Sequence, residues 1–255
     1  VFNHHVKIDF AHTPFLWNNE AQGKAAVFVI IVGLCDEEDK GSRLLYTDGM
    51  AKKVININPY LTEGENLIIE KSPISISNFP EIKRGNMATD GGNLILNEDE
   101  KNEILEKSPN AKKYIRSFVG SQEFIKGIKR YCLWITKDDE KEARDIEIIN
   151  RHIEKVCEFR LQSKKESTRK ISAIPWRFEY VCGADKDFIL IPRVSSERRE
   201  YIPMGFLDKE KICSDSACCI FTDSKYIFGV LNSRLHNLWV KAVGGRLKQD
   251  MRYST

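Results

Sequence analysis

The stretch SSERREYIPMGF, residues 195–206, sets two hydroxyls, two guanidiniums and a phenol (Ser195, Ser196, Arg198, Arg199 and Tyr201) within seven positions. Hydroxyls and charged nitrogens are the groups that hold phosphate oxygens, and an arginine fork can also take the O6 and N7 of a guanine. Glu197 and Glu200 interrupt the run. They partly neutralise the arginines, which is unlike a nonspecific basic patch and fits side chains held in fixed orientation, with glutamate able to accept from a cytosine amine. The bland alternative is a solvated loop. An apolar run just before it, Phe188-Ile189-Leu190-Ile191-Pro192, predicts a buried strand from which the loop departs.

Two other stretches share this composition. FRLQSKKESTRK (159–170) carries Arg160, Lys164, Lys165, Arg169 and Lys170 with Ser163, Ser167 and Thr168, where a long helix should end. GSQEFIKGIKR (120–130) adds Ser121 and Arg130. A single charge run is usually a solvated face. Three such clusters in one chain favour a partner that carries phosphates.

The remaining composition narrows the field. With 255 residues, 42% of them hydrophobic and 30% charged, the chain is long enough for one large core or two small ones. The longest apolar run, near Ala25–Val32, is far short of a membrane span or secretory segment, so a cytoplasmic chain is expected. Seven cysteines at irregular spacing, without a CxxC pair, are expected to be reduced thiols rather than a disulfide framework or a zinc site. The net charge of +3 is mild, so any nucleic-acid partner has to be argued from local clusters.

The sequence has no phosphate-binding P-loop, no HExxH zinc site and no GxSxG nucleophile elbow. Gly91-Gly92 leads into the strand-like Asn93–Leu96 and not into a helix, so no dinucleotide or methyl-donor turn is recognised. Asn58-Pro59-Tyr60 has only one proline of an Asn-Pro-Pro-aromatic tetrapeptide, and Glu81-Ile82-Lys83 is half of a nuclease motif; both read more simply as structure.

Several elements must position the clusters. Ala25–Leu34 predicts a strand buried on both faces, and RLLYT a return strand. NLIIEKS reads as a short strand, and the loop-rich segment 76–100 has the irregularity of a binding surface. A helix is predicted from about Glu98 to Lys107, stopped by Ser108-Pro109, and RYCLWIT reads as a strand. Ile146, Ile149, Ile153, Val156 and Cys157 form the apolar face of the strongest helix. YIFGVLNSRLHNLWVKAVGGRL reads as a strand or turn followed by a helix closed at Gly244-Gly245. Strands and helices mix without a βα repeat, which gives an α+β class.

The ordered motifs FLWNNEAQGKAAVFVIIVGL, NINPYL, GNMATDGGNLIL, FVGSQEFIKGIKRYCLWI, RLQSKKESTRK, SSERREYIPMGF and LNSRLHNLWVKAVGGRLKQDMRYST resemble the MmeI-like DNA adenine methyltransferases and single-chain type II restriction-modification enzymes of bacteria. The resemblance implies residues 1–50 as the end of a methyltransferase domain and 51–255 as a target recognition domain. It implies sequence-specific recognition of double-stranded DNA, with an adenine flipped for N6 methylation by the upstream methyltransferase domain of the same chain. S-adenosylmethionine, and Mg for any nuclease, would belong to the parent and not to this stretch, which is expected to have no catalytic residue or metal of its own. Phe15 or Trp17 would pack against the flipped base, against the simpler reading that both close a core. Thr89-Asp90-Gly91-Gly92 would let backbone approach DNA, or be an ordinary turn. Arg198, Arg199 and Tyr201 lead the implied DNA contacts, with Ser163, Lys164, Lys165 and Arg169 next. A protein-interaction module with basic loops, and an RNA-binding domain using Tyr131 and Trp134, are the rival readings.

Overall fold

In the computed structural model, residues 5–17, 27–70, 77–183, 186–247 and 250–253 are described. The chain divides into two compact units, Val1–Ser77 with Trp239–Asp250, and Asn78–Leu238 with Met251–Thr255. The class is α+β.

The first unit is built on a four-stranded sheet of β1 (Val6–Trp17), β2 (Val27–Asp36), β3 (Arg43–Thr47) and β4 (Met50–Val54), in the order β2-β1-β3-β4. β1 pairs antiparallel with β2 and parallel with β3. Ile8, Ala11, Leu45, Val54 and Ile57 form its small core. The expectation of a β2 buried on both faces fails: Val27, Ile30 and Leu34 are each more than half exposed. The apolar run reports strand propensity correctly, but its burial depends on what covers the sheet. Asn66–Glu70 is also not a strand, and the rest of that NLIIEKS stretch lies outside the described residues.

The second unit holds two four-stranded sheets, and Val194-Ser195 pairs with Met251-Arg252 in a further short ladder. One combines β6 (Ile95–Leu96), β7 (Ile115–Val119), β8 (Tyr131–Leu133) and β12 (Lys211–Cys213); the other combines β5 (Lys83–Arg84), β9 (Phe188–Pro192), β11 (Gly205–Leu207) and β13 (Ala217–Ile220). Three residues, Ser214-Asp215-Ser216, carry the chain from one sheet to the other. α1 (Glu98–Lys107) has the predicted bounds because a capping box starts it: Asn97 Oδ1 accepts from Glu100 N at 2.9 Å, and Glu100 Oε2 accepts from Asn97 N at 2.8 Å. The short α2 (Ser121–Lys126) packs on β7 and β9, and α3 (Glu140–Arg144) and α5 (Glu166–Lys170) flank the long α4 (Glu147–Leu161). α6 (Lys225–Leu231) occupies the segment read as a strand or turn, and α7 (Arg234–Val243) follows it. Ser224 Oγ caps α6 by accepting from Ile227 N at 3.3 Å, a start signal that outweighs the β-branched residues inside.

α4 organises the larger core. Ile149, Ile153 and Val156 are fully buried against Ile104, Phe118, Leu133 and Phe178. Spacings of four, three and four continue this stripe to Arg160, which is also 0% exposed. The grouping of Arg160 with the phosphate-holding cluster is therefore corrected. Its Nε donates to Thr89 O at 3.0 Å, Nη1 to Ile171 O and Ile174 O at 3.1 and 3.0 Å, and Nη2 to Ala88 O and Arg177 O at 2.9 and 2.7 Å. Burial pushes its pKa below the ordinary arginine value, while the charges of Asp90 and Glu179 oppose that shift. All five guanidinium donors are satisfied, and a lysine has neither the number nor the fork. Arg160→Lys and Arg160→Leu should each lower the unfolding free energy by about 3–5 kcal/mol, because buried carbonyls lose their donors. Urea denaturation read at constant m-value checks this.

Candidate nucleic-acid interface

The loop after β9 is pinned at both ends. Ser195, in β10 (Val194–Ser195), pairs with Met251, and Ile202 N donates to the buried Asn237 Oδ1 at 2.9 Å. Between these anchors Ser196 makes a tight turn, its Oγ accepting from Arg198 N at 3.4 Å and its carbonyl from Arg199 N at 3.0 Å. The turn leaves Glu197, Arg198 and Tyr201 exposed and Arg199 half-buried. Neither guanidinium has an ion pair or hydrogen bond among the described residues. Glu197 makes no ion pair with them either, so it does not fix their aim in this structure. Ser195 differs from its neighbours: its side chain is buried and its Oγ has no partner among the described residues.

The cluster after α4 divides in the same way. Arg169 Nη1 donates to Ser163 O and Lys164 O at 2.8 and 2.9 Å, closing the turn that leaves the helix. Ser163 Oγ accepts from Lys165 N at 3.2 Å. Thr168 is buried. Lys164 and Lys165 are exposed ammoniums with no ion pair among the described residues. The turn thus spends Arg169 and Thr168 on its own shape and presents the two lysines.

Thr89-Asp90-Gly91-Gly92 is a rigid turn. Thr89, Gly91 and Gly92 have φ of 48°, 63° and 83°, and a Cβ on Gly91 would meet the Phe159 ring at 2.7 Å. A threonine in the left-handed region is strained and persists only where its surroundings hold it. Here its carbonyl accepts from Arg160 and its hydroxyl bonds Glu179. Asp90 is buried, its Oδ2 accepting from Leu94 N at 2.5 Å and Ile95 N at 3.1 Å.

Ser121 and Arg130 are likewise engaged. Ser121 Oγ donates to Ser216 O, and Arg130 Nε pairs with Glu123 Oε1 at 3.1 Å while lying 4.9 Å from the Phe118 ring centroid. In the other unit, Phe15 is half-buried and Trp17 is 55% exposed at the end of β1, their rings 6.1 Å apart. Within the described residues Trp17 closes no core. Asn58 accepts from Tyr60 N at 3.0 Å and Thr62 Oγ1 at 3.0 Å, a turn-forming role. All seven cysteines are free, and burial pushes the Cys218 thiol up to about 11.

A match to "MmeI, target recognition domain" covers residues 63–255, and one to "MmeI, DNA-methyltransferase domain" covers residues 1–47. The chain belongs to the MmeI family. It is 39% identical over 254 residues to DNA methyltransferase A of Bacillus subtilis strain 168, spanning all of this chain and 29% of that protein. It is also similar to the type IIL restriction-modification enzyme MmeI, solved in complex with DNA, at 40% identity and a TM-score of 0.92, over 99% of this chain and 34% of that one. The chain thus spans about a third or less of these MmeI-family relatives.

Sequence reasoning found the exposed cations but could not sort them from the structural ones. Arg198→Ala, Arg199→Ala, Lys164→Ala and Lys165→Ala should each change unfolding free energy by less than about 0.5 kcal/mol. Arg169→Ala should cost about 1 kcal/mol through its two carbonyl bonds. Chemical denaturation of the set would separate the two classes.

Proposed function

We propose that this chain is the recognition portion of a MmeI-like DNA adenine-N6 methyltransferase of the restriction-modification type, and that it reads a short sequence in double-stranded DNA. The observation that carries this reading is the match across 99% of the chain, at a TM-score of 0.92 and 40% identity, to MmeI in complex with DNA. Arg198, Arg199, Lys164 and Lys165 support it, being cations on anchored turns with no carboxylate partner among the described residues. The lysines act as point charges on phosphates, and the arginines offer forks that suit a base edge. Tyr201 and Ser196 border the same turn, and Thr89–Gly92 is a second stiff turn of the unit. Arg160 fixes Ala88 and Thr89 to the end of α4, so the turns at 88–92 and 163–170 are held as one body.

We place the division between the two functional parts near residue 50, between the segments matched to the methyltransferase and recognition domains. The exposed apolar side chains of β2 support a sheet that the remainder of the methyltransferase domain covers. S-adenosylmethionine would supply the methyl group to the whole protein. The described residues do not fit a cradle for it, since β1 and the next described strand, β2, pair antiparallel and not as the parallel strands of a cofactor-binding βαβ unit. Among the described residues no three His, Cys, Asp or Glu side chains converge as metal ligands. No helix among them is long and apolar enough to cross a membrane, and we place the protein in the cytoplasm with its DNA.

Binding of the full-length protein to a randomised pool of short duplexes, followed over a salt series, tests this function. A log-log salt dependence and enrichment of one short motif are expected. Lys164→Ala and Lys165→Ala should each lower the salt slope by about one, and Arg198→Ala or Arg199→Ala should weaken target binding by roughly tenfold or more. Recovery of no motif by the wild-type protein would sink the reading. Phe15 and Trp17 are proposed to stack on a flipped adenine. With 2-aminopurine at the target adenine, Phe15→Ala or Trp17→Ala should alter the fluorescence rise on binding while duplex affinity changes little; an unaltered rise in both removes them from that role.

A further inference from the structure

The three-residue link Ser214-Asp215-Ser216 is gripped from both sides. A Cβ on Gly85 would lie 2.1 Å from Ser214 O, and one on Gly120 would lie 2.1 Å from Ser216 Oγ, so no larger residue fits either position without displacement. The buried Asn86 stitches the link further: its N and Nδ2 donate to Cys213 O at 2.7 and 2.9 Å, and its carbonyl accepts from Asp215 N at 3.0 Å. On this stiff seat Asp215 gathers two arginines. Arg84 Nη2 donates to Asp215 Oδ2 at 2.9 Å, and Arg193 Nη1 donates to Asp215 O at 3.1 Å. The Arg84 and Asp215 side chains stay 42% and 38% exposed. Ser121 bonds Ser216 O, and Arg193 lies two residues before Ser195, so the cluster adjoins two of the candidate DNA loops.

We infer that Arg84, aimed by Asp215, reads a guanine in the recognised duplex. This rests on the proposed DNA-reading function. A half-exposed carboxylate would be repelled by phosphates, so a surface made only to hold a DNA backbone gains nothing from Asp215. Asp215 Oδ2 and Met87 Sδ both take Arg84 Nη2, which fixes the guanidinium plane, and Nη1 is left without a partner among the described residues to donate to a guanine O6 or N7. Base reading needs placement within about 0.5 Å, which a link held by two glycines and a buried asparagine supplies.

The test uses the full-length protein, wild type and with Arg84→Ala, Arg84→Lys or Asp215→Asn, in selection from a randomised duplex pool and in a salt series on the selected site. Arg84→Lys keeps the charge and the fold but loses the fork. Loss of preference at one G:C pair is expected in both Arg84 variants, with target affinity lower by roughly ten- to a hundredfold and the salt slope of Arg84→Lys retained. Asp215→Asn should weaken the same preference and no other. An unchanged motif in both Arg84 variants overturns the inference, whether affinity is untouched or the Arg84→Ala slope falls by about one, as for a phosphate contact. A wild-type protein that selects no motif instead defeats the proposed function itself.

Discussion

A buried guanidinium holds the larger unit together. Arg160 sits at the last buried turn of α4, where the apolar stripe would ordinarily run out, and gives every donor it has to a backbone carbonyl. Those carbonyls belong to short segments: the turn at 88–89, the single 3-10 turn Ile171–Ala173 with Ile174, and residue 177. Loops that carry buried carbonyls need donors from somewhere. One side chain supplies five at fixed angles, and the strained φ of Thr89 persists beside it. The turn that presents Lys164 and Lys165 leaves α4 within a few residues of this hub. Its position is inherited from the core.

The arginines of the recognition unit accordingly divide by what they do. Arg160 is structural outright, Arg169 shapes a turn, Arg130 lies in an ion pair over an aromatic ring, and Arg84 and Arg193 are seated on the link between sheets. Arg198 and Arg199 alone among these have side chains with no partner in the described residues. A mild net charge is compatible with nucleic-acid binding for this reason: what counts is where the cations stand, and several of the arginines in these clusters are spent on the fold while Arg198 and Arg199 stand on a pinned turn.

Much of this was legible in the sequence where the cause is local. The capping residue Asn97 and the stop at Ser108-Pro109 bound α1, and the unbroken run at 188–192 gives a strand buried on every residue. The exposed cations stood out by composition alone. What was not legible depends on residues far apart in the chain. The Arg84–Asp215 pair spans 131 positions, and Arg160 reaches carbonyls 71 and 72 residues back. No periodicity marks such a bond, so Arg160 read as one more member of a basic run. β2 misled for a related reason, since its apolar residues report strand character but not whether a second layer covers them.

The pinned loop at 195–202 divides labour between main chain and side chains. Its path is set by the Ser195–Met251 pairing, the Ser196 turn and the Ile202–Asn237 bond, while the side chains of Glu197, Arg198 and Arg199 have no partner among the described residues. Side chains at 197–199 can therefore be exchanged over generations without the fold registering the change, whereas the Gly85 seat, where a Cβ would meet the Ser214 carbonyl, admits no such drift. On the proposed reading, substitution at a few exposed positions would change the groups offered to DNA on a scaffold that stays constant.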